Sequence, residues 1–445
     1  MDCSPSSPQD LQVRLFVACP HSGSTLLMSV FAESSCCAVT SRVILNGNAG
    51  SSADNFTPDY SILEDLTTHY VFFQAMNSGK RFIICEEELK GECKIFLAPS
   101  AYAMTQPVFL IRDPVRVFDS WKNVGWTDSQ SLINCFTNMF RMLHQAPSDI
   151  ISSLLYEQLI WQPHTEIERI CRWWGVPFSA NMLQASSSVR NDVPYHNLLS
   201  NVEKDNIEQH VGRQYIDCWH ESVLRLRAML AEKTWFGFDL DDTLHEFRHS
   251  LGVATKKVLQ EISTRYGTPL TALQEEYSSV LKEKTANAFS DGKTTFLAGL
   301  LEVYESTLKA SLELKCGALA LLSTIKKMGK KIVVITEGPQ DAQERTVKDL
   351  GIDGYIDFLA TTNHFRVTKL DGLFAQVLVY LGISPSDIAY VGDNEQRDMQ
   401  PAMAEGILCI HLSEAEDISL DAFPPRINTL RKLQYILSSE RNHLE

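Results

Sequence analysis

No run of about 18 or more apolar residues occurs in this 445-residue chain, so the sequence predicts no membrane span. Residues Met1–Gln12 are polar, with no apolar core of the kind a secretory signal carries, and the reading expects none. Excess basic charge is also absent. Lys and Arg number 40 against 55 Asp and Glu, a formal net charge of −15, which argues against a nucleic-acid scaffold. Small anions stay open as ligands, because a local cluster can oppose the global charge. Cysteine is present but unpatterned. The 11 cysteines include one adjacent pair, Cys36 and Cys37, and no C-x-x-C, which reads as thiols in a reducing, cytoplasmic setting. Low-complexity tracts, internal repeats and Pro/Gly/Ser linkers are missing, so nothing in the composition marks a fibrous or disordered class.

The chain contains two strand restarts. Val13–Cys19 is an apolar run ending in a Gly/Ser-rich loop, and Trp235–Leu240 is another ending in an acidic loop. Short apolar runs bounded by turn residues are candidate strands of a buried parallel sheet. Further strands are expected at Val108–Ile111, Lys331–Ile335, Ile388–Val391 and Ile407–His411. Helical patterning between these runs predicts an α/β protein with two Rossmann-like parallel-sheet domains, residues 1–233 and 234–445. His245–Lys330 is helical in pattern and too long for one crossover, which predicts an inserted helical cap at about residues 247–325. The two halves carry nearly equal net negative charge, so charge alone marks neither as the anion binder.

The sharpest pattern is Asp239-Leu240-Asp241-Asp242-Thr243 behind an apolar run. Carboxylates at the carboxyl end of a parallel strand stand where ligands bind in α/β sheets. Thr336 closes a second apolar run, Lys369 follows, and a third run ends in Gly392-Asp393 with Asp398 beyond. This order resembles the four motifs of the haloacid dehalogenase (HAD) superfamily, with a helical (C1-type) cap between the first and second. The resemblance implies a Mg²⁺-dependent phosphatase. Asp239 is then the nucleophile that becomes an aspartyl-phosphate, and Asp241 the acid and base. Thr336 and Lys369 hold the phosphoryl oxygens, and the metal ligands come from Asp239, Asp241, Asp393 and Asp398. A carboxylate nucleophile divides one phosphoryl transfer into two easier steps, and hard oxygen ligands suit Mg²⁺. An acid at position 241 favours phosphate-ester hydrolysis over dehalogenation. His245, Glu246, Arg248 and Lys293 are candidates to touch a small phosphorylated metabolite, and Thr361-Thr362-Asn363 to line its entrance.

In the first half, Cys19-Pro20-His21-Ser22-Gly23-Ser24-Thr25 follows an apolar run and opens a helical pattern. Small residues at a helix N-terminus cradle anions. The loop has no lysine, which speaks against an ordinary ATPase or kinase. It resembles instead the phosphosulfate loop of P-loop sulfotransferases. Arg112-Asp113-Pro114 with Ser120, and Tyr156-Glu157-Gln158-Leu159, resemble that family's further blocks. The resemblance implies PAPS as co-substrate, held by His21, Ser22, Gly23, Ser24, Thr25, Arg112 and Ser120, and a hydroxylated acceptor. His21 stands where the family carries Lys or Arg, and no acceptor-activating base is assigned beyond the acidic run Glu86-Glu87-Glu88. Three readings stay open for this half: sulfuryl transfer, a kinase partnered with a phosphatase for nucleic-acid ends or nucleotides, and a non-catalytic binding module. The reading expects no nucleic acid and no membrane as partners.

Overall fold

The computed structural model describes residues 11–41, 70–89, 103–145, 152–188, 195–275 and 294–438. The chain forms two compact units. Met1–Leu226, Glu414–Ala422 and Arg426–Asn428 make the first, and Arg227–Ser413, Phe423–Pro425 and Thr429–Glu445 the second. Among the described residues no helix is long and apolar enough to cross a membrane. The described cysteines are all free thiols, and only Cys218 is not buried.

In the first unit the strands are β1 (Gln12–Ala18), β2 (Cys37–Ser41), β3 (Phe82–Glu88), β4 (Val108–Ile111) and β5 (Ser152–Leu155). They lie parallel in the order β2-β3-β1-β4-β5. Burial on both faces explains the apolar runs Leu15–Ala18 in β1 and Val108–Ile111 in β4. Phe16, Phe31 and Trp174 pack ring against ring on one face, with centroids 4.6 to 5.5 Å apart. Because β1 and β4 are neighbours, the loops leaving their carboxyl ends stand side by side. That adjacency brings the loop at 19–23 beside Arg112.

The segments from the end of the chain complete this unit. Lys204 pairs with Glu414 at 3.0 Å and Arg116 with Asp417 at 3.1 Å. Ser222 Oγ donates to Asp421 at 2.7 Å, and Asn428 Nδ2 donates to Asp113 at 2.7 Å. Asp113 also caps the helix Pro114–Asn123 by accepting from Val115 N at 3.0 Å, and it donates its own N–H to Glu157 at 2.8 Å. Burial, with Asp417 and Asp113 close by, pushes Glu157 up to about 8.

In the second unit the parallel strands β6 (Trp235–Phe238), β7 (Lys331–Thr336), β8 (Phe358–Thr361), β9 (Ile388–Gly392) and β10 (Leu408–Leu412) run in the order β10-β9-β6-β7-β8. The three motif-bearing strands β9, β6 and β7 are therefore contiguous, and their carboxyl ends form one edge. Gly237 sits mid-strand for a packing reason. A Cβ there would lie 2.8 Å from the Tyr390 ring, so glycine lets that ring cross the sheet face.

The inserted region carries two long helices, Phe247–Tyr266 and Thr294–Ala310. Its two ends are tied together: Glu246 N donates to Glu313 O at 2.9 Å, and Lys315 N to Leu244 O at 2.9 Å. A Lys315–Glu246 ion pair at 2.7 Å closes the same stem. The next helix, Ala318–Lys327, buries Leu321, Leu322 and Ile325 against the sheet layer, and so packs as part of the core. Lys293 lies outside the described residues.

Candidate active site

Asp239 is the first residue beyond β6. Its N–H donates to Val391 O at 2.9 Å, which extends the β6–β9 register by one residue and points the carboxylate over the sheet edge. Asp242 takes a left-handed conformation, φ 60°, that turns the chain away from the sheet. Thr336 ends β7 fully buried, and its Oγ1 has no hydrogen-bond partner among the described residues. At the end of β9, Gly392 allows close approach, since a Cβ there would lie 2.7 Å from the Asp398 Cβ. Asn394 Oδ1 accepts from Gln396 N and Arg397 N, and Asp398 accepts from Asn394 N at 3.2 Å.

Lys369 joins these strand ends. Its Nζ lies 2.5 Å from Asp239 Oδ1 and 2.5 Å from Asp398 Oδ1, with all three residues buried. Tyr390 OH donates to Asp398 Oδ1 at 2.8 Å from behind. Burial pushes Asp239 up to about 8, the Asp398 and Asp241 charges add to it, and Lys369 opposes it. Burial also opposes the Lys369 charge, but the two carboxylates outweigh it and hold its pKa above the ordinary lysine value. Asp393 is raised by burial and by Asp398 and Asp242. The site thus gathers more negative charge than one lysine balances.

Asp239, Asp393 and Asp398 each present a carboxylate oxygen, and these atoms lie within 4.8 Å of one another. Three converging hard-oxygen donors fit a small divalent cation such as Mg²⁺. The Asp241 carboxylate stands outside that group. Its Oδ1 meets His245 Nε2 at 2.9 Å and its Oδ2 accepts from Gln343 Nε2 at 3.4 Å, so both oxygens are turned to other partners.

A pocket of about 270 Å³ opens over the strand ends, lined by Asp239, Asp241, Thr336 and Lys369 from the core and by Phe247 and Arg248 from the cap. That volume is below the common range for drug-sized ligands and suits a small one. Of the residues expected to touch substrate, Arg248 lines the pocket. It is largely exposed and pairs with Asp242 at 3.0 Å and with Asp393 at 3.5 Å. His245 is buried behind Asp241, and Glu246 is taken up by Lys315. Thr361 and Thr362 do local structural work: Thr361 Oγ1 caps His364 N, and Thr362 Oγ1 accepts from Gly338 N. Glu337 and Arg397 also line the pocket without having been singled out in the sequence; each directly neighbours or lies within a motif, a signal that could have indicated them.

In the first unit, most of the residues expected around the loop meet. His21 Nδ1 lies 2.8 Å from Ser120 Oγ, and Arg112 donates to His21 O at 3.2 Å. Gly23, φ 92°, precedes the helix Ser24–Ala32; a Cβ on it would run into the Tyr156 ring, over which Arg112 also sits. Ser22 Oγ is buried and has no partner among the described residues, Ser24 is buried, and Thr25 is exposed on the first helical turn. Burial lowers the His21 pKa, Arg112 adds to this and Glu88 opposes it. The acidic run lies within β3, and register places Glu88 opposite Ala18 at the start of the loop.

Residues 237–412 match the family described as Haloacid dehalogenase-like hydrolase. The glyceraldehyde 3-phosphate phosphatase of Methanocaldococcus jannaschii is 26% identical over 229 residues, which span 45% of this chain and 96% of that protein. The phosphoserine phosphatase of Thermus thermophilus is 27% identical over 92 residues, 20% of this chain and 37% of that protein. Among solved structures, a HAD phosphatase from Thermococcus onnurineus is 23% identical, covers 47% of this chain and 99% of its own, and has a TM-score of 0.38. Residues 237–412 form a haloacid dehalogenase-like hydrolase domain.

Proposed function

We propose that this domain is a Mg²⁺-dependent phosphatase that hydrolyses a small phosphorylated metabolite through an aspartyl-phosphate on Asp239. The observation that carries the reading is the buried group at the strand ends: Asp239 held 2.5 Å from Lys369, with Asp393 and Asp398 converging on the same point. Asp239 attacks phosphorus, and the bond to the leaving oxygen breaks as Asp241 delivers a proton to it. Asp241 then takes a proton from water as that water attacks the phosphorus of the acyl phosphate and frees Asp239. Thr336 Oγ1, buried without a partner, and Lys369 Nζ supply a donor and a positive charge to the phosphoryl oxygens. When bound by Asp239, Asp393 and Asp398, Mg²⁺ supplies the positive charge that offsets the repulsion between a phosphate and the carboxylates. The small pocket and two relatives whose names give glyceraldehyde 3-phosphate and phosphoserine support a small phosphorylated substrate. The test is phosphate release by the full chain from p-nitrophenyl phosphate and a panel of small phosphorylated metabolites. Release with Mg²⁺ that stops in EDTA is expected, and no release from any member overturns the reading.

For the first unit we propose an anion site for PAPS, from which a sulfuryl group passes to the oxygen of a hydroxylated acceptor, with adenosine 3′,5′-bisphosphate as the leaving group and the hydroxyl proton released to solvent. The meeting of His21, Arg112 and Ser120 beside a partnerless Ser22 hydroxyl supports it. A histidine of lowered pKa is a weaker cation than lysine, so Arg112 carries the fixed positive charge. Calorimetric titration of the full chain with PAPS is expected to show saturable binding that Arg112→Ala removes, and no binding by the unaltered chain overturns it.

A further inference from the structure

We infer that His245 is a positioning residue for Asp241, setting the carboxyl that protonates the leaving group; the inference rests on the phosphatase reading above. The His245 side chain is 1% exposed, and its Nε2 lies 2.9 Å from Asp241 Oδ1. With the proton that Asp241 delivers carried on Oδ2, its Oδ1 only accepts, so Nε2 carries the hydrogen and donates. Nδ1 has no partner. A buried polar atom left unpaired costs stability, and an apolar side chain would fill the same space without it. The Asp241 contact is therefore what the ring gains from its polarity.

The backbone fixes the ring where it stands. His245 N donates to Leu240 O at 3.3 Å, and His245 forms an isolated antiparallel bridge with Leu314 on the segment leaving the cap. The residues on either side are tied across the same stem, through Lys315 N to Leu244 O and the Lys315–Glu246 pair. Gln343 holds the second Asp241 oxygen more loosely, at 3.4 Å. The carboxylate thus has one short, rigidly based donor, and 28% of its side chain stays exposed toward the pocket it lines. A proton donor is effective only when held within hydrogen-bond reach of the departing oxygen. Its loss matters most when that oxygen is a strong base and hardly at all when it departs readily as an anion.

The test is kcat/KM for the full chain across phosphate monoesters from 2,4-dinitrophenyl through phenyl to alkyl phosphate, for the unaltered protein, His245→Met and His245→Gln. This parameter includes the step in which the leaving group departs. His245→Met fills the space without a donor. It is expected to lose about 100-fold on the alkyl ester and less than about 3-fold on the dinitrophenyl ester. His245→Gln, whose amide also donates, is expected to recover much of the alkyl activity. Equal losses on all esters in His245→Met, or no recovery in His245→Gln while it folds, overturn the inference. An unaltered chain inert toward every ester overturns the phosphatase reading, and this inference with it.

Discussion

Asp239→Asn lowers Mg²⁺-dependent phosphate release by at least about 10³-fold, the scale seen when a covalent nucleophile is removed. The change keeps shape and hydrogen-bonding capacity but replaces the attacking oxygen with an amide oxygen of little nucleophilicity. It also removes one negative charge from a site where burial first, and then Asp398 and Asp241, disfavour the Asp239 charge, so the folded state is not expected to suffer. Substrate binding through Thr336 and Lys369 persists, and the loss falls on kcat with KM changed little. Steady-state kinetics with p-nitrophenyl phosphate reads this directly. A rate within about 10-fold of the unaltered protein removes Asp239 from the nucleophile's role.

Lys369→Met has the second largest effect, because one ammonium serves two buried carboxylates at 2.5 Å each. Removing one partner of a buried ion pair leaves an uncompensated charge and costs about 3–5 kcal/mol. Here the loss strands Asp239 and Asp398 together, with Asp393 close by. The second unit of the variant is expected to melt well below the unaltered protein in EDTA. Millimolar Mg²⁺ recovers much of the difference, because a cation on the same carboxylates replaces the missing charge. Activity falls about 10²- to 10³-fold even with Mg²⁺, since no fixed charge then meets the phosphoryl oxygens. Thermal unfolding with and without Mg²⁺ separates the two effects. An equal melting loss in both conditions contradicts the shared role of these carboxylates.

The parts of this site legible in the sequence are those where an apolar run stops at a charged or hydroxyl residue. Asp239, Thr336 and Asp393 each sit just past or at the end of such a run, and β6, β7 and β9 prove to be contiguous strands. Strand β8, Phe358–Thr361, left no comparable signal. It has four residues at the edge of the sheet, and only its last two are buried. Thr361 and Thr362 accordingly read as an entrance loop, where the structure has a strand end and a helix cap.

Other features required tertiary information. Lys369 gains its meaning only when the loop after β8 folds back over β6. The Tyr390–Asp398 bond depends on strand register and on the space left by Gly237, neither of which periodicity reports. Asp241 and His245 are close in sequence, but whether Asp241 faces a metal or a histidine is decided by the cap stem at Leu314. Likewise Gly23 reads as a phosphate-loop glycine, while its immediate steric reason is the Tyr156 ring. Glu414–Ala422 has no pattern of its own, and its place in the first unit rests on ion pairs with residues some 200 to 300 positions earlier.

The central claim is that Asp239 carries the phosphoryl group during turnover. The most direct measurement is acid quenching of the full chain during steady-state hydrolysis, then reduction with borotritide and peptide mapping. An acyl phosphate is reduced where a free carboxylate is not, so tritium is expected at position 239, and only when Mg²⁺ and substrate are both present. Rapid turnover with no tritium at position 239, or with tritium at another carboxylate, contradicts the account.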